Sequence, residues 1–191
     1  MPVNLSHVAL SVGRGEGPLA ARFLTHLGLR VTDNGPSLLG DPWYTAVVDA
    51  ESYGGGMAHL GFFVVPVSDA QRDLEAATVR DDAVDAYLAE KRRKPDSNGH
   101  VALNYDRLDQ LEAAVRAISE DAEIADRTTL LCFRPEAAPS DVAARLDASP
   151  VFATATPVRY LDRTVQVFVQ TDLVSVGLLC LGQSFELNLE L

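Results

Sequence analysis

Cysteine, basic residues and long apolar runs are scarce in this chain of 191 residues. Its two cysteines, Cys132 and Cys180, each lie in an apolar run, which favours small buried side chains over a disulfide framework or a metal motif. No stretch reaches the roughly 18 apolar residues of a membrane-spanning helix, and no basic segment followed by an apolar run marks a secretory signal. The sequence therefore predicts a cytoplasmic protein.

Acidic side chains outnumber basic ones, 27 to 16, and the formal net charge is -11. Contacts with phosphates need a positive surface, so we expect neither nucleic acid nor an anionic membrane surface as a partner. The hydrophobic fraction of 47% and the charged fraction of 23% are ordinary for a globular protein. The length suffices for one sizeable core, or for two small domains that share a sheet.

The tetrapeptide His-Val-Ala-Leu occurs twice, starting at His7 and at His100. Each copy is followed by a segment with the spacing of an amphipathic helix, which indicates a duplicated strand-helix unit. Because side chains alternate across a strand, each histidine shares a face with small residues, opposite the bulkier face that a helix would cover. If the two units pair, the two imidazoles meet in one cleft, as a metal site requires.

Each copy opens a longer series of predicted elements. In the first series the pattern predicts a helix that begins near Pro18 and ends at Gly28. The other predicted elements are strands at 5–12, 29–32, 43–48 and 57–67, a helix at 107–118, and strands at 128–133, 164–170, 175–181 and 185–191. The predicted domains are a first module at 1–67, a helical linker at 68–97, and a second module at 98–191 with an insertion at about 135–157.

The order strand, helix, strand, strand, strand, with a histidine early in each first strand, resembles the vicinal oxygen chelate superfamily. This superfamily includes glyoxalase I, methylmalonyl-CoA epimerase, extradiol dioxygenases and the fosfomycin and bleomycin resistance proteins. The segments that carry the resemblance are 5–12, 23–29, 98–103 and 184–189. The resemblance implies an α+β fold, in which two tandem βαβββ modules form a curved mixed sheet around a cleft, with helical insertions.

In glyoxalase-like members each module supplies two metal ligands, one from its first strand and one from its last. The resemblance therefore implies one divalent ion, which is zinc, nickel, cobalt, manganese or iron(II), held by His7, His59, His100 and Glu186. The alternation of the final strand also turns Glu186 away from the apolar face. Glu190 is the substitute for Glu186, and His26 is interpreted as a structural residue.

Such an ion keeps two coordination positions for adjacent oxygens of a small-molecule substrate and stabilises a developing enediolate. Glu186 is then expected to be the catalytic general base as well as a ligand. The sequence thus predicts a metal-dependent glyoxalase-like enzyme, either a lyase or an isomerase.

Two alternatives stay open at this point. An extradiol dioxygenase needs two histidines and one carboxylate, which His7, His100 and Glu186 would supply. A metal-free protein of the bleomycin-resistance kind would instead sequester a small aromatic molecule such as an antibiotic. Its substrate-binding residues would include Trp43, Tyr44 and Phe63. Family members often pair as homodimers, so the resemblance leaves open both a homodimer and an intramolecular site.

Overall fold

A computed structural model describes residues 7–48, 61–79, 82–93 and 99–191 of the protein. The chain divides into two compact units, each built from two segments. The first unit contains Met1–Glu90 and Asp172–Gln183, and the second contains Lys91–Thr171 and Ser184–Leu191. No helix in the described ranges is both long enough and apolar enough to cross a membrane.

The first unit begins with a strand, a helix and three further strands, as predicted. The elements are β1 (His7–Val12), α1 (Gly17–His26), β2 (Arg30–Pro36), β3 (Pro42–Val47), β4 (Gly61–Pro66) and α2 (Asp69–Thr78). Helix α3 (Asp82–Arg93) then continues into the second unit. The linker between the modules, which is predicted to be helical, therefore contains two helices.

The second unit repeats this order with insertions. Its elements are β5 (His100–Asn104), α4 (Leu108–Glu120), α5 (Ala122–Ala125), β6 (Thr128–Pro135), α6 (Ser140–Asp147), β7 (Thr156–Val158), β8 (Thr164–Thr171) and β9 (Gln183–Glu190). A 3-10 turn at Leu179–Leu181 precedes β9. Helix α6 and strand β7 lie within the predicted insertion, apart from the last residue of β7.

Both units connect their strands in the same way. The described strands form one sheet of four, in the order β1-β4-β3-β2, and one of five, in the order β5-β9-β8-β6-β7. The first and last strands of each module pair in parallel, β1 with β4 and β5 with β9. Strand β7 is an addition at the β6 edge. The α+β class and the repeated strand order are confirmed, and each module has its own hydrogen-bonded sheet.

The helical spacing of apolar residues explains why α1 and α4 form and which of their faces are buried. In α1 the residues Ala20, Phe23 and Leu24 are fully buried, and α1 contacts β2, β3 and β4. The helix ends where predicted, because Gly28 takes a positive φ of 82° that suits glycine. In α4 the buried residues are Leu111, Ala114, Val115 and Ile118, at the predicted periodicity.

Two predicted boundaries differ from the structure. Strand β2 continues through Asn34, Gly35 and Pro36, beyond the predicted end at residue 32. The amide of Gly35 donates to the Asp33 carboxylate, and the β2–β3 register shifts between Asp33 and Pro36, so this segment is an irregularity within the strand. The chain reverses later, where the amide of Ser37 donates to the carbonyl of Asp41.

Among the residues that the structure describes, the predicted strand at 175–181 forms one bridge, between Ser175 and Ser11 of β1. Gly177 and Gly182 both have positive φ, 116° and 62°, and they interrupt a regular ladder on either side of the 3-10 turn. The apolar run that contains Cys180 therefore lies in a turn. Residues of α2 fix this segment, since the Gln71 amide donates to the carbonyl of Gly177.

The burial of Lys91 in α3 predicts a pH-dependent stability of the second unit. Its side chain is buried, and burial lowers the pKa of its ammonium below the ordinary value of 10.5. Between the lowered pKa and 10.5 the unfolded chain binds more protons, so the free energy of unfolding rises with pH across that window. We expect Lys91→Met to remove this rise, so that the free energy of unfolding changes less between pH 7 and pH 10 than in the wild type.

Urea unfolding of both proteins at pH 7 and at pH 10 checks this expectation. Comparison of the two proteins at each pH isolates Lys91 from the other groups that titrate in the same range. An equal pH dependence in the two proteins would contradict it.

Candidate functional site

A histidine and a glutamate meet on the parallel strand pair β5–β9. In the register of these strands Ala102 lies opposite Glu186, and His100 lies opposite Ser184. Residues two apart on a strand share a face, so His100 and Glu186 project from the same side of the sheet. The Nε2 atom of His100 is 2.6 Å from the Oε2 atom of Glu186. The His100 side chain is 28% exposed and that of Glu186 is 11% exposed, so solvent reaches the histidine more readily.

The second oxygen of this carboxylate also has a partner. The side-chain amide of Gln166 on β8 donates from Nε2 to Oε1 of Glu186 at 2.6 Å. Glu186 therefore lies between one nitrogen from β5 and one from β8. Both contacts favour a fixed carboxylate orientation, because hydrogen bonds to an ionised acceptor are among the stronger ones in proteins.

Aromatic rings and an amide border this pair. The ring of Phe168 meets that of His100 edge to face, with centroids 5.8 Å apart, and Phe133 meets Phe168 in the same way at 6.0 Å. On β9, Asn188 shares the face of Glu186, and its buried Oδ1 has no hydrogen-bond partner among the described residues. The surroundings thus combine an apolar side with an acceptor that a donor group of a ligand could satisfy.

His7 has a different partner in the first unit. Its imidazole is exposed and stacks on the ring of Phe63, with centroids 4.1 Å apart and planes inclined by 11°. Trp43 meets Phe63 edge to face at 5.7 Å. Of the predicted substrate-binding residues, Trp43 and Phe63 are therefore neighbours.

Tyr44 lies on the other face of the same sheet. It is buried, and its ring is so close to Gly17 of α1 that a Cβ atom there would meet it at 2.8 Å. Burial, and secondly the charge of Asp33, raise the pKa of the Tyr44 hydroxyl. Tyr44 therefore belongs to the helix-covered side of the first unit.

The repeated tetrapeptide allows the two modules to be compared position by position. Ala9 corresponds to Ala102, and the strand residue opposite Ala9 is Phe63, whereas the residue opposite Ala102 is Glu186. Phe63 therefore occupies in the first module the place that Glu186 occupies in the second. The His100–carboxylate contact is replaced by the His7–phenyl stack.

The other predicted site residues are placed as follows. His59 lies outside the described residues. In the part of the chain that is described, no three histidine, cysteine or acidic side chains are grouped so that they could hold a metal ion. Glu190, the substitute for Glu186, is exposed at the end of β9. Burial raises the pKa of the Cys132 thiol to about 11, so this thiol is protonated and unreactive at neutral pH.

Gln166 was not among the residues predicted from the sequence, although a signal was present. The valines Val165, Val167 and Val169 are all fully buried on one face of β8. Period-two alternation turns Gln166 to the opposite face, which is also the face of Glu186 on β9. A polar residue between buried valines was therefore a candidate for the site.

No protein-family model, curated protein or solved structure matches this chain.

Proposed function

We propose that the protein binds a divalent metal ion through His100 and Glu186 and is a metal-dependent glyoxalase-like enzyme, a lyase or an isomerase. The observation that carries this proposal is the contact of 2.6 Å between His100 Nε2 and Glu186 Oε2. It joins the first and last strands of a βαβββ module. In glyoxalase-like members of the vicinal oxygen chelate superfamily those strands supply the metal ligands.

The chemistry of the two side chains fits a metal ion. An imidazole nitrogen and a carboxylate oxygen together suit zinc, nickel, cobalt, manganese or iron(II). Metal-binding carboxylates are commonly held by a further hydrogen bond, and Glu186 receives one from Gln166. His7 and His59 stay predictions as additional ligands.

Each side chain has a definable task in such an enzyme. When bound, the ion would act as a Lewis acid toward a small molecule that offers two adjacent oxygens. Glu186 would take a proton from the substrate carbon next to those oxygens and return it, since its carboxylate lies at the site and is only partly exposed. Phe168, which contacts the His100 ring, would limit the access of water to the same side.

Extradiol ring cleavage is the second candidate. Iron(II) oxygenases of this kind use two histidines and one carboxylate, and His100 and Glu186 would supply one of these histidines and the carboxylate.

Metal uptake tests the proposal. Untagged protein, freed of metal with a chelator, is titrated with Co²⁺, whose visible absorption reports its coordination. We expect about one ion per chain, and we expect its loss in His100→Ala and in Glu186→Ala with folding intact. Glu190→Ala removes an exposed carboxylate from the same strand and serves as the matched control.

The metal found in protein as purified then separates the two candidates, because iron favours ring cleavage whereas nickel, zinc or cobalt favours isomerisation. A chain that takes up none of these ions would overturn the proposal. The metal-free sequestration of a small aromatic molecule would then be the remaining function.

A further inference from the structure

We propose that Gln166 is a positioning residue, which holds the carboxylate of Glu186 in the orientation that pairs it with His100. The inference rests on the proposed function, since it concerns how the second unit orients the two side chains that are proposed to bind the metal ion. It assigns a role to a residue that neither the repeated tetrapeptide nor the family resemblance marks.

The fold fixes Gln166 in place. Its strand neighbours Val165 and Val167 are fully buried on the opposite face, so the side chain of Gln166 must project toward the face of Glu186. On the adjacent strand β6, Phe133 lies directly opposite Gln166. The amide at the end of this side chain reaches Oε1 of Glu186 at 2.6 Å.

This hydrogen bond orients the carboxylate. The terminal torsion of a glutamate is broad, so a free carboxylate rotates easily. With Oε1 held by the Gln166 amide, Oε2 is directed at His100 Nε2. Loss of the amide would remove a partner of Oε1 in a side chain that is only 11% exposed, and the carboxylate would reorient to recover one. His100 Nε2 and Glu186 Oε2 would then no longer be held in the positions from which they are proposed to bind the metal ion.

The experiment replaces Gln166 by leucine, which keeps a similar volume and removes the donor. Removal of an outer hydrogen-bonding partner commonly weakens metal binding by about 10–100-fold, and we expect a loss in that range for Co²⁺ with Gln166→Leu. Gln170→Leu is the matched control. Gln170 is on the same strand and face, but its amide donates to the carbonyl of Lys91.

A second measurement needs no metal and does not depend on the stability of the leucine variant. In the metal-free protein, the side-chain amide protons of Gln166 are followed by NMR in the wild type and in Glu186→Gln. We expect a downfield resonance in the wild type that moves upfield in the variant, because the charged acceptor is lost.

The outcomes are distinguishable. Weaker Co²⁺ binding in Gln166→Leu but not in Gln170→Leu supports the inference, as does the resonance shift. Equal Co²⁺ affinity in Gln166→Leu and wild type overturns the inference and leaves the proposed function intact. A wild-type chain that binds no Co²⁺ overturns both.

Discussion

A chain that carries both His100→Ala and Phe63→Glu is expected to bind Co²⁺ at least about tenfold more tightly than one that carries His100→Ala alone. Phe63 occupies the position that corresponds to Glu186, and its ring already lies against the imidazole of His7. A carboxylate there would give the first module its own histidine–glutamate pair. Phe63 is partly exposed, so the new charge would keep contact with water.

Titration with Co²⁺, monitored by visible absorption, measures this gain. Phe63→Gln in the same His100→Ala background is the control, because it has the same length as glutamate and lacks the charge. Equally weak Co²⁺ binding by the glutamate and glutamine variants would contradict the prediction that a carboxylate at position 63 forms a metal-binding pair with His7.

Leu24→Ala is expected to lower the free energy of unfolding by about 2–5 kcal/mol. Leu24 is fully buried in α1, beside Ala20 and Phe23, so truncation leaves a cavity as well as removing apolar contact. A loss of that size is a large part of the stability of an ordinary domain. Chemical denaturation, followed by circular dichroism, measures it.

Leu38→Ala is the matched control for this substitution. Leu38 is fully exposed, between the ends of β2 and β3, and its truncation should change the free energy of unfolding by no more than about 0.5 kcal/mol. Similar losses in the two variants would show that α1 does not bury its apolar face as described.

The parts of the fold that were predicted from the sequence are those where local pattern and burial agree. In α1 and α4 the apolar side chains recur at helical spacing, and the same side chains are buried. Helix α2 has no such agreement, because it buries the carboxylate of Glu75 and exposes Leu74. The Gln71 amide that bonds Glu75 also contacts Ser11 and Gly177, which lie far away in the sequence. A buried glutamate beside an exposed leucine therefore depends on tertiary contacts, which the local sequence pattern does not contain.

In the candidate site, too, the local pattern predicted some features and tertiary contacts determined the others. Alternation along single strands correctly predicted that His100 and Glu186 avoid the apolar face. The side chains that contact the predicted site residues could not be predicted in this way, because these contacts depend on which strands pair. Only the register of β1 with β4 brings Phe63 to His7, and only the position of β8 brings Gln166 to Glu186. The alternation of β8 marks Gln166 as a polar residue between buried valines, but it does not show which side chain Gln166 contacts.

The position of β9 in its sheet has a consequence for how the protein is made. Strand β9 lies between β5 and β8, although it follows both in the chain. During synthesis β5 can therefore pair with β9 only after β9 has left the ribosome, long after β5 itself. Pairings between strands that lie far apart in the sequence slow folding. His100 and Glu186 meet only in this late event. If the protein binds a metal ion as proposed, metal binding would then distinguish the nascent chains that have completed the second sheet.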